Sequence, residues 1–226
     1  MRGPLAAIAN LQDRGYGKIV VQPAHIVAAE EYHDLRSYLE ALAGIRTLKP
    51  HWQPFRTLAL GRPALGCFSL EHPYQDDIQA AAEALMEDLN RARQEQAALL
   101  YMGHGNRHFP SGGLYLECAA AMRRLAPDVC TQIATVEGFP SLDEALRELA
   151  RQPCRRVLLK PFLVTAGEHA YCDMAGDEPD SWKSRLEQAG YTVLPVLSGL
   201  GEETAFAELF ARHAADAARD AGLELD

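Results

Sequence analysis

Three short segments each carry one side chain able to bind a cation or accept a proton: Tyr101-Met-Gly-His104-Gly-Asn, Thr135-Val-Glu137-Gly-Phe-Pro and Val164-Thr-Ala-Gly-Glu-His169-Ala. Two imidazoles and a carboxylate are the smallest kit for holding a divalent metal ion and moving protons beside it. Each group follows an apolar run and has a glycine within two residues, the pattern of a strand entering a loop. Gly103 and Gly105 flank His104, which lets the backbone come close to a bulky or anionic ligand.

Other candidates are weaker. His108 follows His104 at helical zinc-pair spacing, but Gly103, Gly105 and Pro110 oppose a helix, so it reads as a loop residue at a pocket rim. Glu168 is either solvated or placed to orient the His169 imidazole. Gln22-Pro-Ala-His25 ends another apolar run, and His25 reads as a satisfied core histidine, with Glu30 and Glu31 as the acidic first turn of a helix. His33, His51, His72 and His213 have no ligand neighbours and are assigned no role. Asp173, Asp177, Glu178 and Asp180 fit a hard-cation site or a solvated helix N-terminus equally well.

Positioning such groups calls for a parallel sheet. Apolar, β-branched runs alternate with helical periodicity, which gives an α/β class. Strands are predicted at 18–22, 56–60, 97–102, 132–136, 156–160 and 192–197. Helices are predicted at 5–14, 31–42, 75–95, 117–124, 141–150, 181–189 and 204–222. Ser141 with Glu144 forms a capping-box pattern, and Gly15 and Gly190 sit at helix stops. The Gly- and Pro-rich stretch 60–74 reads as a linker. Residues 1–75 then form a first α/β half, residues 76–203 a second half carrying the metal site, and the C-terminal helix packs back on the first. With two predicted strands that first half is too small to cover its helices, which points to missing upstream sequence.

The 226 residues are 48% hydrophobic, enough for a buried core, and carry a formal charge of −9. With a pI near 5.4 and no basic run, nucleic acid is not an expected partner. No apolar stretch approaches the roughly 20 residues that span a bilayer, so no membrane partner is expected, and residues 1–15 lack a signal-peptide layout; the chain reads as cytoplasmic. The five dispersed cysteines, Cys67, Cys118, Cys130, Cys154 and Cys172, contain no Cys-x-x-Cys pair and read as reduced, structural thiols. Phosphate-loop, nucleophile-elbow and dinucleotide fingerprints are absent, which removes the usual support for nucleotide kinases, serine hydrolases and dinucleotide oxidoreductases.

Taken in order, Val21-Gln-Pro-Ala-His-Ile-Val-Ala-Ala-Glu-Glu-Tyr32, Met102-Gly-His-Gly105, Val136-Glu137 with Pro140, the run from Ala166 to Lys183, and Leu197-Ser-Gly-Leu-Gly-Glu202 resemble the anaerobic-pathway sirohydrochlorin cobalt chelatases, class II tetrapyrrole chelatases of cobalamin synthesis. The resemblance covers nearly the whole chain. It implies two doubly wound, Rossmann-like halves facing a cleft, the first N-terminally truncated because the family's opening strand-helix-strand is missing. It implies His104 and His169 as metal-binding histidines, Glu137 as the catalytic carboxylate between them, and Glu31 as a further acid facing the cleft. The partner implied is the tetrapyrrole sirohydrochlorin, the metal Co²⁺ as substrate with Fe²⁺, Ni²⁺ or Zn²⁺ as substitutes, and no organic cofactor. Backbone N–H groups at Gly103 and Gly105, with Arg107, are the expected anchors for substrate carboxylates. Because some relatives are exported, an exported form stays open, as does a homo-oligomer through an exposed sheet edge. Two alternatives remain: an Fe²⁺ or Ni²⁺ chelatase of the same class, and a non-catalytic metal- or tetrapyrrole-binding protein. Binding of a phosphorylated small molecule at 103–106 ranks below both.

Overall fold

The computed structural model describes residues 3–223. The chain begins with helix α1 (Pro4–Asp13), strand β1 (Lys18–Val21), helix α2 (Glu30–Ala43) and strand β2 (Thr57–Leu60). β1 and β2 pair in parallel from Lys18 opposite Thr57 to Val21 opposite Leu60. Ile8, Ile19, Leu35, Leu39 and Phe55 form a small core under this sheet.

A larger unit follows: α3 (Tyr74–Ala84), α4 (Met86–Gln94), β3 (Ala98–Gly105), α5 (Gly112–Leu125), β4 (Thr131–Glu137), α6 (Leu142–Ala150), β5 (Arg156–Pro161), α7 (Trp182–Gln188) and β6 (Thr192–Pro195). The sheet order is β4-β3-β5-β6, all parallel. Helices cover both faces, and the central strand β3 is buried from Ala98 to Gly103. One apolar layer, including Leu89, Tyr101, Met122, Phe162 and Phe206, lies toward α3, α4, α5 and the last helix α8 (Thr204–Asp220); the other, with Leu142, Leu149, Met174 and Leu186, lies toward α6 and α7.

The segment between the sheets is built into the fold. Ala64 and Leu65 are fully buried, and their N–H groups donate to the His25 and Ile26 carbonyls, each at 2.9 Å. Arg62 pairs with Asp77 at 2.7 Å and Asp216 at 2.9 Å, joining this segment to α3 and α8. His213, buried in α8, reaches Asp77 at 3.0 Å and the Arg62 carbonyl at 3.1 Å. Helix α8 also packs against β1 and β2.

Several boundaries differ from the sequence prediction, three of them where packing or strand pairing intervenes. The helix expected at 75–95 breaks at Leu85, which is fully buried and leaves helical geometry (ψ 18°) to seat its side chain. Helix α5 begins at Gly112 because its first turn runs against the loop after β4, where a Cβ would stand 2.4 Å from the Phe139 carbonyl oxygen. Strand β3 continues to Gly105, which pairs with Glu137. The Ser141–Glu144 capping box forms as expected, and its hydrogen bonds, led by that from Ser141, pull the Glu144 carboxyl down to about 2. Among the described residues no helix is long and apolar enough to cross a membrane.

Candidate metal and substrate cleft

The carboxyl ends of both sheets open on one cavity of about 370 Å³. One wall is the stretch after β1, with His25, Ile26, Val27 and Glu31; the other is the end of β3, Tyr115 of α5 and the loop 162–169. Ligands bind beyond strand ends in open α/β sheets because the loops there are free to diverge. A larger cavity, about 930 Å³, runs along the outer edge of β4 between α5 and α6. It contains none of the candidate groups, and its arginines Arg93, Arg147 and Arg151 pair with Asp128, Glu144 and Glu148.

His104 and His169 meet across the cleft end with ring centroids 5.2 Å apart and planes at 81°. His104 Nδ1 lies 3.1 Å from the Gly105 carbonyl oxygen, which can only accept, so Nδ1 carries the hydrogen and Nε2 keeps its lone pair. His169 precedes a single π-helical turn (Ala170–Met174), and its Nδ1 bonds the Asp173 carboxylate one turn on. The orienting carboxylate is therefore Asp173 rather than Glu168. Of the remaining acids in that cluster, Asp177 holds Lys183 at 2.9 Å, and nearby Ser181 caps α7 through the Ser184 N–H.

Glu137 is set apart from the two imidazoles. Its Cα lies beside Gly105 at the end of β4, but its carboxylate sits 3.4 Å from the Arg107 guanidinium and does not line the cavity. Among the described residues no three His, Cys, Asp or Glu side chains stand close enough together to hold a metal ion. The expected grouping of His104, Glu137 and His169 is thus seen as an imidazole pair with a nearby, separately paired carboxylate. Arg107, 71% exposed, sits at the rim with that carboxylate. The loop holding Glu137 is closed by the Thr135 N–H and hydroxyl, both donating to the Pro140 carbonyl at 2.7 and 3.0 Å.

The glycines flanking His104 do different jobs. Gly105 has φ +76°, and a Cβ there would lie 1.8 Å from the Glu137 carbonyl oxygen, so only glycine lets β3 pass this close to β4. Gly103 is buried against the Tyr115 ring, which a Cβ would meet at 3.1 Å, and it does not line the cleft. Burial pushes the Tyr115 hydroxyl up to about 12, so it stays a neutral phenol behind the site.

Glu31 lines the cavity. His25 was not expected there; it lines the same wall and is not a satisfied core residue, since its Nδ1 is buried with no partner. Its position shortly after an apolar run, two residues beyond Pro23, was the available signal. Asp173 was not expected in this role; its four-residue spacing from His169 was the available signal. His108 is an exposed loop residue whose N–H, like that of Phe109, bonds the Asn106 side chain.

Residues 1–219 match the family described as Cobalt chelatase (CbiK). The sirohydrochlorin cobaltochelatase CbiKC of Nitratidesulfovibrio vulgaris strain Hildenborough is 35% identical over 209 residues, covering 92% of this chain and 68% of that protein. The sirohydrochlorin cobaltochelatase of Salmonella typhimurium strain LT2 is 31% identical over 212 residues, 93% of this chain and 72% of that one. Among solved structures, SirB from Bacillus subtilis with Fe³⁺ superposes with TM-score 0.66 at 14% identity, covering 98% of this chain and 80% of SirB. The sirohydrochlorin chelatase SirB of Bacillus subtilis subspecies spizizenii in complex with cobalt gives 0.61 at 13%, covering 97% and 77%. At that identity the SirB structures speak for the fold, parallel α/β sheets opening on a shared cleft; the whole-chain match and the two close relatives carry the assignment, and the chain belongs to the cobalt chelatase (CbiK) family.

Proposed function

We propose that the chain inserts Co²⁺ into sirohydrochlorin, with His104 and His169 holding the incoming metal. The observation that carries this is the spacing of the two rings. A first-row cation ~2.1 Å from each Nε2 would lie roughly 3.2 Å from each ring centroid, and two rings set at a tetrahedral angle would have centroids roughly 5.2 Å apart. The centroids stand 5.2 Å apart with both Nδ1 atoms engaged elsewhere, so both Nε2 lone pairs are available.

Metal insertion replaces two pyrrolic N–H bonds by bonds to the metal, releasing two protons while the imidazole bonds to the metal break. Two neutral imidazoles suit Co²⁺, and so few ligands let it go. Glu31 in the cleft wall and Glu137 at its edge are the proposed proton acceptors. For Glu137 the step requires leaving Arg107, a partly exposed pair at 3.4 Å worth little in water. The rim Arg107 and the Gly105 backbone are the proposed contacts for substrate carboxylates, whereas Gly103, buried behind His104, supports the strand instead.

The test is metallation followed by absorption: chain, sirohydrochlorin and Co²⁺, beside His104→Ala and His169→Ala. The expected outcome is a rate well above the spontaneous one, lost in both variants. A wild-type chain that binds the tetrapyrrole without accelerating insertion would overturn the enzymatic reading. Competition among Co²⁺, Fe²⁺ and Ni²⁺ ranks the metals.

A further inference from the structure

His25 lies four residues beyond the end of β1, and its main chain is pinned by the Ala64 N–H at 2.9 Å. Its side chain is not. Nδ1 is buried without a hydrogen-bond partner, and no hydrogen bond to the other ring nitrogen is present among the described residues. The ring stands edge-on to Tyr32, centroids 6.4 Å apart, and lines the wall that carries Glu31 and faces His104 and His169. Buried polar side-chain atoms are bonded in the large majority of cases, so the unbonded Nδ1 constrains which ring nitrogen carries the hydrogen, while the other nitrogen stands in the cleft wall without a partner among the described residues.

The ring's surroundings decide what it offers. Burial lowers its pKa, opposed by the Glu31 carboxylate, so the imidazole is neutral near neutral pH. A neutral imidazole has one N–H and one lone pair. A hydrogen on the buried Nδ1 would be an orphaned donor, the rarer and costlier case, so it belongs on Nε2, toward the cavity. With its only lone pair buried, the ring cannot serve as the base; it is a neutral donor.

We propose that His25 is a substrate-binding residue whose Nε2–H donates to a peripheral carboxylate of the tetrapyrrole, anchoring the ring on the wall opposite His104 and His169. The proposal rests on the reading that this cleft takes a tetrapyrrole. The acceptor is a carboxylate because the ring's inner nitrogens must face the metal on the histidine side. Because His25 is uncharged, it forms no ion pair with Glu31, which stays available to accept a proton.

The test uses the full chain with His25→Phe, which keeps a flat ring without the donor, and His25→Gln, which restores an N–H. Sirohydrochlorin binding is measured without metal by absorption titration, and Co²⁺ insertion is followed across pH, with thermal unfolding as a folding check. Loss of one such hydrogen bond predicts a Kd and KM about tenfold higher in His25→Phe, with kcat and its pH profile unchanged, and recovery to within about threefold in His25→Gln. The proposal is overturned if His25→Phe binds like wild type, if kcat falls and its pH profile loses a limb, or if the Gln variant binds as weakly as the Phe variant. If the wild-type chain neither binds nor metallates sirohydrochlorin, the functional reading itself fails. If wild type metallates, His104→Ala does not and His25→Phe matches wild type, only the role of His25 fails.

Discussion

Asp173→Asn removes the charge behind His169 while keeping the side chain's size. In the native site the Nδ1 of His169 bonds the Asp173 carboxylate, which holds the ring and makes the Nε2 lone pair a stronger donor. Groups that orient a metal-binding histidine in this way are worth 10–100-fold in metal affinity. Here the two side chains are 44% and 47% exposed, so solvent screens the pair and the lower end applies, about tenfold or ~1.4 kcal/mol. A Co²⁺ titration against a competing chelator should therefore show Kd about tenfold higher in Asp173→Asn, while metallation at saturating Co²⁺ keeps its kcat because release is not impeded. Glu168→Gln, the neighbouring carboxylate without a contact to the ring, should leave both unchanged. Equal affinity in Asp173→Asn and wild type, or an equal loss in Glu168→Gln, would refute the assignment of Asp173 as the group that positions His169.

Gly105→Ala forces a Cβ to within 1.8 Å of the Glu137 carbonyl oxygen at φ +76°, so it should cost about 1–3 kcal/mol in denaturant unfolding and most of the metallation rate. Gly113→Ala, where nothing lies within 4 Å, should instead be neutral or raise the midpoint slightly. Burial raises the Asp77 pKa, but hydrogen bonds from His213 and Arg62 outweigh it and the net value falls below the ordinary 3.8. A depressed carboxyl stabilises the fold fully above 3.8 and loses that contribution as pH falls through the lower folded-state value; urea midpoints measured downward from pH 5 should therefore fall less steeply in Asp77→Asn.

The parallel α/β class was legible because β-branched runs alternate with helical periods, and the capping box at Ser141 was readable from two residues. Boundaries set by contact rather than by local preference were not. Gly112 reads as a breaker in one dimension and is a helix start in three, because its missing Cβ admits the Phe139 carbonyl. His104 and His169 were recognisable as a pair because each follows an apolar run that forms a strand of the same sheet, His104 at the tip of β3 and His169 in the loop after β5. Whether a third group joins them depends on side-chain direction: Glu137 ends the adjacent strand beside Gly105, yet its carboxylate turns to Arg107. His25 was misjudged for the same reason, since only packing reveals whether a strand-end histidine is satisfied.

The two histidines are backed unequally, and under the proposed assignment that inequality suits a site that must give its metal up. His104 is held by a neutral main-chain carbonyl, His169 by a carboxylate. A carboxylate behind the ring strengthens the far nitrogen as a ligand more than a carbonyl does, so His104 is the weaker of the two and the one expected to let go first. His104 is also the more exposed residue of the two, at the tip of β3, where under this reading an arriving macrocycle can displace it. A third protein ligand locked in place would deepen the well and slow that exchange. With Glu137 held at the edge by an exposed arginine instead, the carboxylate can take a pyrrolic proton without first having to release the cation.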